Sequence, residues 1–280
     1  MNFVKSVFDL ANSFMRYPKH IEISQDHYLS MVEKIQNTPV PSWPKREIKN
    51  PELEVLSTLI KNSINYCYWY GRYDIRPNDS CASKLGKIVD KHMDPQKPFA
   101  NVLGNIKREI ILERFPLISE RIKHLEEISF HGMEFSIKVC DNHDKPVERL
   151  MKGLFQYFPG YSADMFLKRA SLFFVELYRI FGWFKEDMKN IFVPADYQLP
   201  KLLEHYGVLK YSYDLKNKIL SHQLIPKNSL EECEIRAATI IVCDRLSKAT
   251  GRNIADIDSW LWLNRDSIDT PFHLTITTDY

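Results

Sequence analysis

Apolar residues recur along most of this chain at the three- and four-residue spacing that gathers them on one side of a helix. Phe3, Val4, Val7, Phe8, Leu10 and Phe14 make a first such face, and Tyr28, Leu29, Val32 and Ile35 a second. Pro39, Pro41 and Pro44 then break the pattern in an extended loop around Trp43. Pro51 suits the first position of a long helix. Its Leu53, Leu56, Leu59, Ile60 and Ile64 run into the aromatic cluster NYCYWYGRY, residues 65–73. A loop through Pro77, Asn78 and Asp79 leads to helices near 81–91, 97–113 and 117–127.

The segment ISFHGMEFSIKVC, residues 128–140, predicts a short hairpin with its glycine at the centre. From Lys145 onward the helical period returns over about 146–157, 163–181, 185–190, 197–206, 212–221, 229–249 and 255–263. The tail PFHLTITTDY, from Pro271, alternates as a short strand does. The pattern therefore predicts a mainly α chain with at most a small β element. Its expected organisation is an N-terminal helical lobe, 1–144, packed tightly against a second lobe, 145–280.

Composition narrows the function. Of the 280 residues, 44% are hydrophobic and 26% charged, as in an ordinary globular protein. Nine glycines are few, and neither G-x-x-x-x-G-K-S/T nor G-x-G-x-x-G occurs, which argues against P-loop and Rossmann nucleotide binding. The 38 basic and 36 acidic side chains leave a formal charge of +2, without the basic excess expected of a protein that grips a nucleic-acid polymer. Five cysteines lack C-x-x-C spacing, which predicts reduced thiols in a cytoplasmic protein and no metal site. The charged N-terminal helix is not a signal peptide, and no apolar run is long enough for a membrane span.

Two strings carry candidate chemistry. In LFQYFPGYSADMFLKRASLFF a helix ends at Phe158, and Pro159-Gly160 reverses the chain into a helix expected from near Ala163. Further on, PADYQLPKLLEHYG places Asp196 at the start of an amphipathic helix. A carboxylate fixed beside a sugar suits cleavage of an N-glycosidic bond, where positive charge develops on the ribose. The same strings also fit a plain turn and a helix cap. They resemble the helix-hairpin-helix and catalytic Asp of the base-excision DNA glycosylases, although Ser162 replaces the second hairpin glycine. Asp164 stands where lyase-type members carry a nucleophilic Lys, which favours water as the attacking group.

A wider set of blocks is more specific. NYCYW, YFPGYSADMFLKRA, ADYQLPKLLEHYGVLKYSYDL, EECEIRAATI, IDSWLW and the final PFH occur in order between residues 65 and 273. Together they resemble the queuosine salvage family, queuosine 5′-phosphate N-glycosylases related in fold to the DNA glycosylases. The resemblance implies a DNA-glycosylase-like helix-hairpin-helix fold and hydrolysis of a small nucleotide to queuine and ribose 5-phosphate, with no cofactor. It implies no nucleic-acid polymer, membrane or obligate protein partner. Asp196 falls at the catalytic position, and Lys168 at the Lys of the family's K-R-A-Q, suited to the substrate's phosphate or sugar. The family's acidic residue eight positions later is Glu176 here instead of Asp, Gln198 replaces Arg or Lys, and Lys201 replaces Gln.

Several residues are expected to contact the substrate. Asp164, four residues before Lys168, is placed on the same helix face, where the two could pair. Phe155, Tyr161, Tyr197, Tyr68 and Trp69 are candidates to stack on the flat base, and Asn65 to hydrogen-bond it. Glu234, Arg236 and Asp258 match family blocks, with an internal Glu234–Arg236 ion pair as the architectural alternative. Two other functions stay open: a DNA-repair base glycosylase and a non-enzymatic nucleoside-binding protein.

Overall fold

The computed structural model describes residues 2–43, 47–69, 81–265 and 268–280. The expected breaks at Pro44 and at Pro77, Asn78 and Asp79, and the end of the aromatic cluster at 70–73, lie outside the described residues. In chain order come α1 (Phe3–Phe14), β1 (Ile21–Ile23), α2 (Gln25–Gln36), α3 (Pro51–Ser63), α4 (Cys81–His92), α5 (Phe99–Leu112), α6 (Ile118–Asp141) and α7 (Val147–Tyr157). Then follow α8 (Lys168–Phe181), α9 (Gln198–His205), β2 (Leu209–Tyr211), α10 (Tyr213–Leu220), α11 (Leu230–Thr250) and α12 (Ile254–Asn264). The fold is mainly α, as the periodicity predicts. No helix among the described residues is long and apolar enough to cross a membrane.

The described residues divide into two compact units, each drawing on both sides of residue 144. One gathers residues 2–43 and 185–276, and the other residues 47–69, 81–184 and 277–280.

In the first unit α11 is the core. Its apolar and polar residues alike are buried from Glu231 to Cys243, so it is enclosed on every side. Ser229 caps its start by accepting from the Glu232 N–H, and Gly251, at φ +71°, closes its end in the left-handed conformation. Helices α1, α2, α9 and α12 pack around it. β1 pairs antiparallel with β2, with Ile21 opposite Tyr211 and Ile23 opposite Leu209.

In the second unit α3 packs on α6 and α8, with α4, α5 and α7 outside them. The predicted hairpin at 128–140 does not exist, because that segment continues α6. Ile128, Gly132, Phe135, Ser136 and Val139 are all buried at helical spacing on one face. Gly132 marks a close helix approach instead of a turn. A Cβ there would lie 2.7 Å from Ile128 Cγ2 and 3.0 Å from Leu56 Cδ1 of α3.

Two further expectations change. The tail makes an isolated parallel bridge, Leu224 to Leu274, and no strand. The helix expected from near Ala163 starts at Lys168, after a 3-10 turn over Pro159–Ser162. Leu167, at φ 51°, enters the left-handed conformation immediately before α8. Asp164 therefore lies outside the helix, and the shared helix face expected for Asp164 and Lys168 is absent.

Candidate active site

In the first unit the segment 193–197 runs directly into α9. Asp196 Oδ1 accepts from the backbone N–H of Gln198 at 2.7 Å and of Leu199 at 3.4 Å. These are donors at the helix start that have no intrahelical acceptor, so the cap reading of Asp196 is satisfied through one oxygen. No described residue donates to its Oδ2. Asp196 is half-buried, on a segment whose neighbours Pro194 and Ala195 are buried. The carboxylate is thus fixed through one oxygen and presents the other.

Arg236 holds the same segment from behind. Its Nε donates to Ala195 O at 3.1 Å, and its Nη1 lies 3.3 Å from Glu232 Oε1, with both side chains fully buried. Glu232 also accepts from Asn228 N at 3.1 Å. On α11 Arg236 pairs with Glu232, one turn earlier, and the expected Glu234–Arg236 pair does not form. Glu234 accepts instead from the backbone of Lys19 at 2.9 Å and His20 at 2.7 Å, tying the segment before β1 to α11. Tyr197 packs on Phe272, their ring centroids 4.5 Å apart. Burial, reinforced by Arg236, pushes the neighbouring His273 imidazole down to about 3, so it is neutral at physiological pH. Asp258 is buried on α12, and with burial as the larger cause its charge helps push the Cys243 thiol up.

The second unit contains Asn65, Trp69, Tyr161, Asp164 and Lys168. Asp164 is buried, its two oxygens accepting from Phe166 N at 3.0 Å and Lys168 N at 2.8 Å, so it shapes the entry to α8. Lys168, the first residue of α8, is only 3% exposed. Tyr161 donates to Leu59 O at 2.7 Å, and Tyr68 donates to Asn65 Oδ1 at 2.8 Å. Trp69 is buried, and Phe155 is half-buried on α7.

Two buried arginines, which the sequence reading left out of the site, hold the aromatic segment in place. Arg121 donates to Pro116 O at 2.8 Å and Cys67 O at 2.7 Å, and also to Ile64 O and Tyr66 O. Arg169 donates to Ser63 O at 2.5 Å and to Gly160 O. The chain after α3 thus turns through Cys67, at φ 36°, around two guanidinium groups that both donate to backbone carbonyls, with Arg169 Nε left without an acceptor among the described residues. Tyr66 OH meets His124 Nδ1 at 3.0 Å, and burial followed by the Arg169 charge pushes that imidazole down to about 3. The signal was present: Arg121 sits between Ile118 and Leu125, on the apolar face of its helix. A charge on a core face must be satisfied internally.

A model of the family described as queuosine salvage protein matches residues 48–278. Three relatives each bear the name queuosine 5′-phosphate N-glycosylase/hydrolase. The one from Schizosaccharomyces pombe is 30% identical over 58% of this chain and 52% of its own length. The match thus spans about half of that relative. The Sphaerobacter thermophilus protein is 26% identical over 88% of this chain and 87% of its own, and the Mus musculus protein 24% identical over 84% and 86%.

Proposed function

Because the chain belongs to the queuosine salvage protein family, we propose that it hydrolyses queuosine 5′-phosphate to queuine and ribose 5-phosphate. The bond between C1′ and the base nitrogen breaks, its electron pair leaving with the base. Positive charge develops across C1′ and the ring oxygen. Water then adds at C1′, and the proton it loses balances the one gained by the departing base. This is neither a redox reaction nor a phosphoryl transfer, so its chemistry calls for no cofactor.

The observation that carries the reading is the state of Asp196. Its Oδ1 is fixed by two backbone N–H groups, and its Oδ2 receives no donor from the described residues. A carboxylate already oriented opposes developing positive charge without reorganising during the reaction, worth about 3–4 kcal/mol for a single preorganised group. Its second oxygen is also suited to orient the attacking water. Arg236, fully buried and bonded to Ala195 O, acts in this reading by positioning Asp196 instead of touching substrate. Lys168 supplies a cation for the phosphate or a donor for the sugar. Tyr197, Tyr161, Phe155 and Trp69 remain the stacking candidates, with Asn65 for the base. The scattered cysteines support a cytoplasmic location.

The test is base release from queuosine 5′-phosphate, from the free nucleoside and from DNA carrying damaged bases. Queuine released from the nucleotide supports the reading. Release from DNA alone, or tight binding of the nucleotide without turnover, overturns it.

A further inference from the structure

Asn62, on the last turn of α3, is 1% exposed. Its Nδ2 donates to Thr58 O at 3.0 Å and to Glu176 Oε2, on α8, at 2.5 Å. These two bonds use both amide protons. Exchanging the amide oxygen and nitrogen would set an oxygen against two acceptors, so the orientation is determined. Asn62 Oδ1 is then left buried with no hydrogen-bond partner. Glu176 is half-buried, and no described residue donates to its Oε1. An unsatisfied buried acceptor is costly, and native proteins rarely keep one without a ligand, water or function to account for it.

We infer that Asn62 and Glu176 form an acceptor pair that reads the N–H edge of the substrate's 7-deazaguanine ring. This rests on the reaction proposed above. Two joined acceptors need a partner rich in donors, and that ring offers N1–H and a 2-amino group side by side on one edge. The cationic amine and hydroxyls of the cyclopentenediol arm and the ribose hydroxyls are the other donors available, and none of them sets two N–H donors side by side on one flat edge. A neutral N–H edge is much less costly to bury than an ammonium group beside an acceptor as enclosed as Asn62 Oδ1. The surroundings of Glu176 agree. Burial pushes its carboxyl pKa up, against the donor from Asn62 and the charges of Arg179, Lys61 and Lys168. A carboxyl in that setting gains from the N–H donors of such an edge, which restore part of its lost solvation.

The experiment compares queuosine 5′-phosphate with its 2-deamino analogue, which keeps the arm and lacks the amino donor. The wild-type chain is expected to prefer the amino compound in kcat/KM by about 10- to 100-fold, as for a hydrogen bond to a charged group. Glu176→Gln, confirmed as folded by its thermal melt, should reduce that ratio to near one, and Glu176→Asp should restore part of it. A wild-type ratio of one overturns the inference without any variant, as does an undiminished ratio in folded Glu176→Gln. Calorimetric binding of queuine and 2-deaminoqueuine decides the same point apart from turnover. Equal affinity overturns the acceptor pair, whereas discrimination in binding without any queuine release keeps the pair and rejects the reaction.

Discussion

Arg236 donates from Nε to the carbonyl of Ala195 at 3.1 Å, so the residue immediately before Asp196 is pinned to the central helix α11. The guanidinium is itself fixed by Glu232 one turn earlier, with no exposure at Arg236 and 1% at Glu232. The carboxylate proposed to meet the reacting sugar therefore rests on a buried ion pair.

That arrangement predicts an asymmetric response to mutation. Removing one member of a buried pair leaves the other charge uncompensated and costs about 3–5 kcal/mol. Arg236→Met should show a loss of that order in chemical denaturation. Replacing both members, as Arg236→Met with Glu232→Leu, should recover most of it. Activity should not recover with stability, because the bond to Ala195 O is still missing. A double variant with full kcat would show that Asp196 needs no support from Arg236.

Gly160 gives a second prediction, on packing in the other unit. A Cβ there would lie 2.7 Å from both Cδ2 and Nε2 of His124, a ring already held through Tyr66. Gly160→Ala should destabilise the chain by about 1–3 kcal/mol, the usual cost of overpacking a filled site. Gly153→Ala is the control. Its nearest neighbour would be 3.4 Å away, within a helix that favours alanine. Equal melting temperatures for the two variants would contradict the close contact at His124.

Acid stability should follow the two buried histidines. His124 and His273 have imidazoles pushed from 6.5 down to about 3, in each case chiefly by burial. Their folded pKa lies below the unfolded one, so the unfolded chain binds the extra protons. The stabilisation is fully present above about pH 6.5 and is lost as pH falls toward 3. Each group adds a slope of about 1.4 kcal/mol per pH unit within that window. Urea midpoints measured from pH 7 to 4.5 should fall steadily for the parent chain. They should fall less steeply for His124→Gln, and an unchanged slope would show that His124 is not kept neutral by the fold.

Much of this was legible in the sequence, and the misses have physical causes. Helices whose apolar residues face a single core, such as α1 and α7, declare themselves by period. Gly132 was read as a turn because a glycine amid β-branched and aromatic residues carries the same local signal as a helix crossing. The partner that decides between the two, Leu56, is far away in sequence. β1 and β2 have three residues each, too few to show alternation. Asp164 was placed inside a helix because nothing local announces the left-handed Leu167. In α11, sequence shows charges on a buried helix but cannot say that Arg236 takes Glu232 while Glu234 takes the backbone of Lys19 and His20. The place of Asp196 at the start of α9 was legible because a carboxylate just before an amphipathic run is a capping signal, while its catalytic role is part of the proposed reaction.

Asp196→Asn is the most direct test of the central claim, since it keeps the side chain's shape and an acceptor for the Gln198 N–H while removing the negative charge. Single-turnover release of queuine from queuosine 5′-phosphate, measured beside equilibrium binding of the nucleotide, separates catalysis from affinity. The account predicts a rate lower by about a hundred- to a thousandfold with affinity within a few-fold of the parent chain. A variant that binds as before and releases queuine at the parent rate would contradict it.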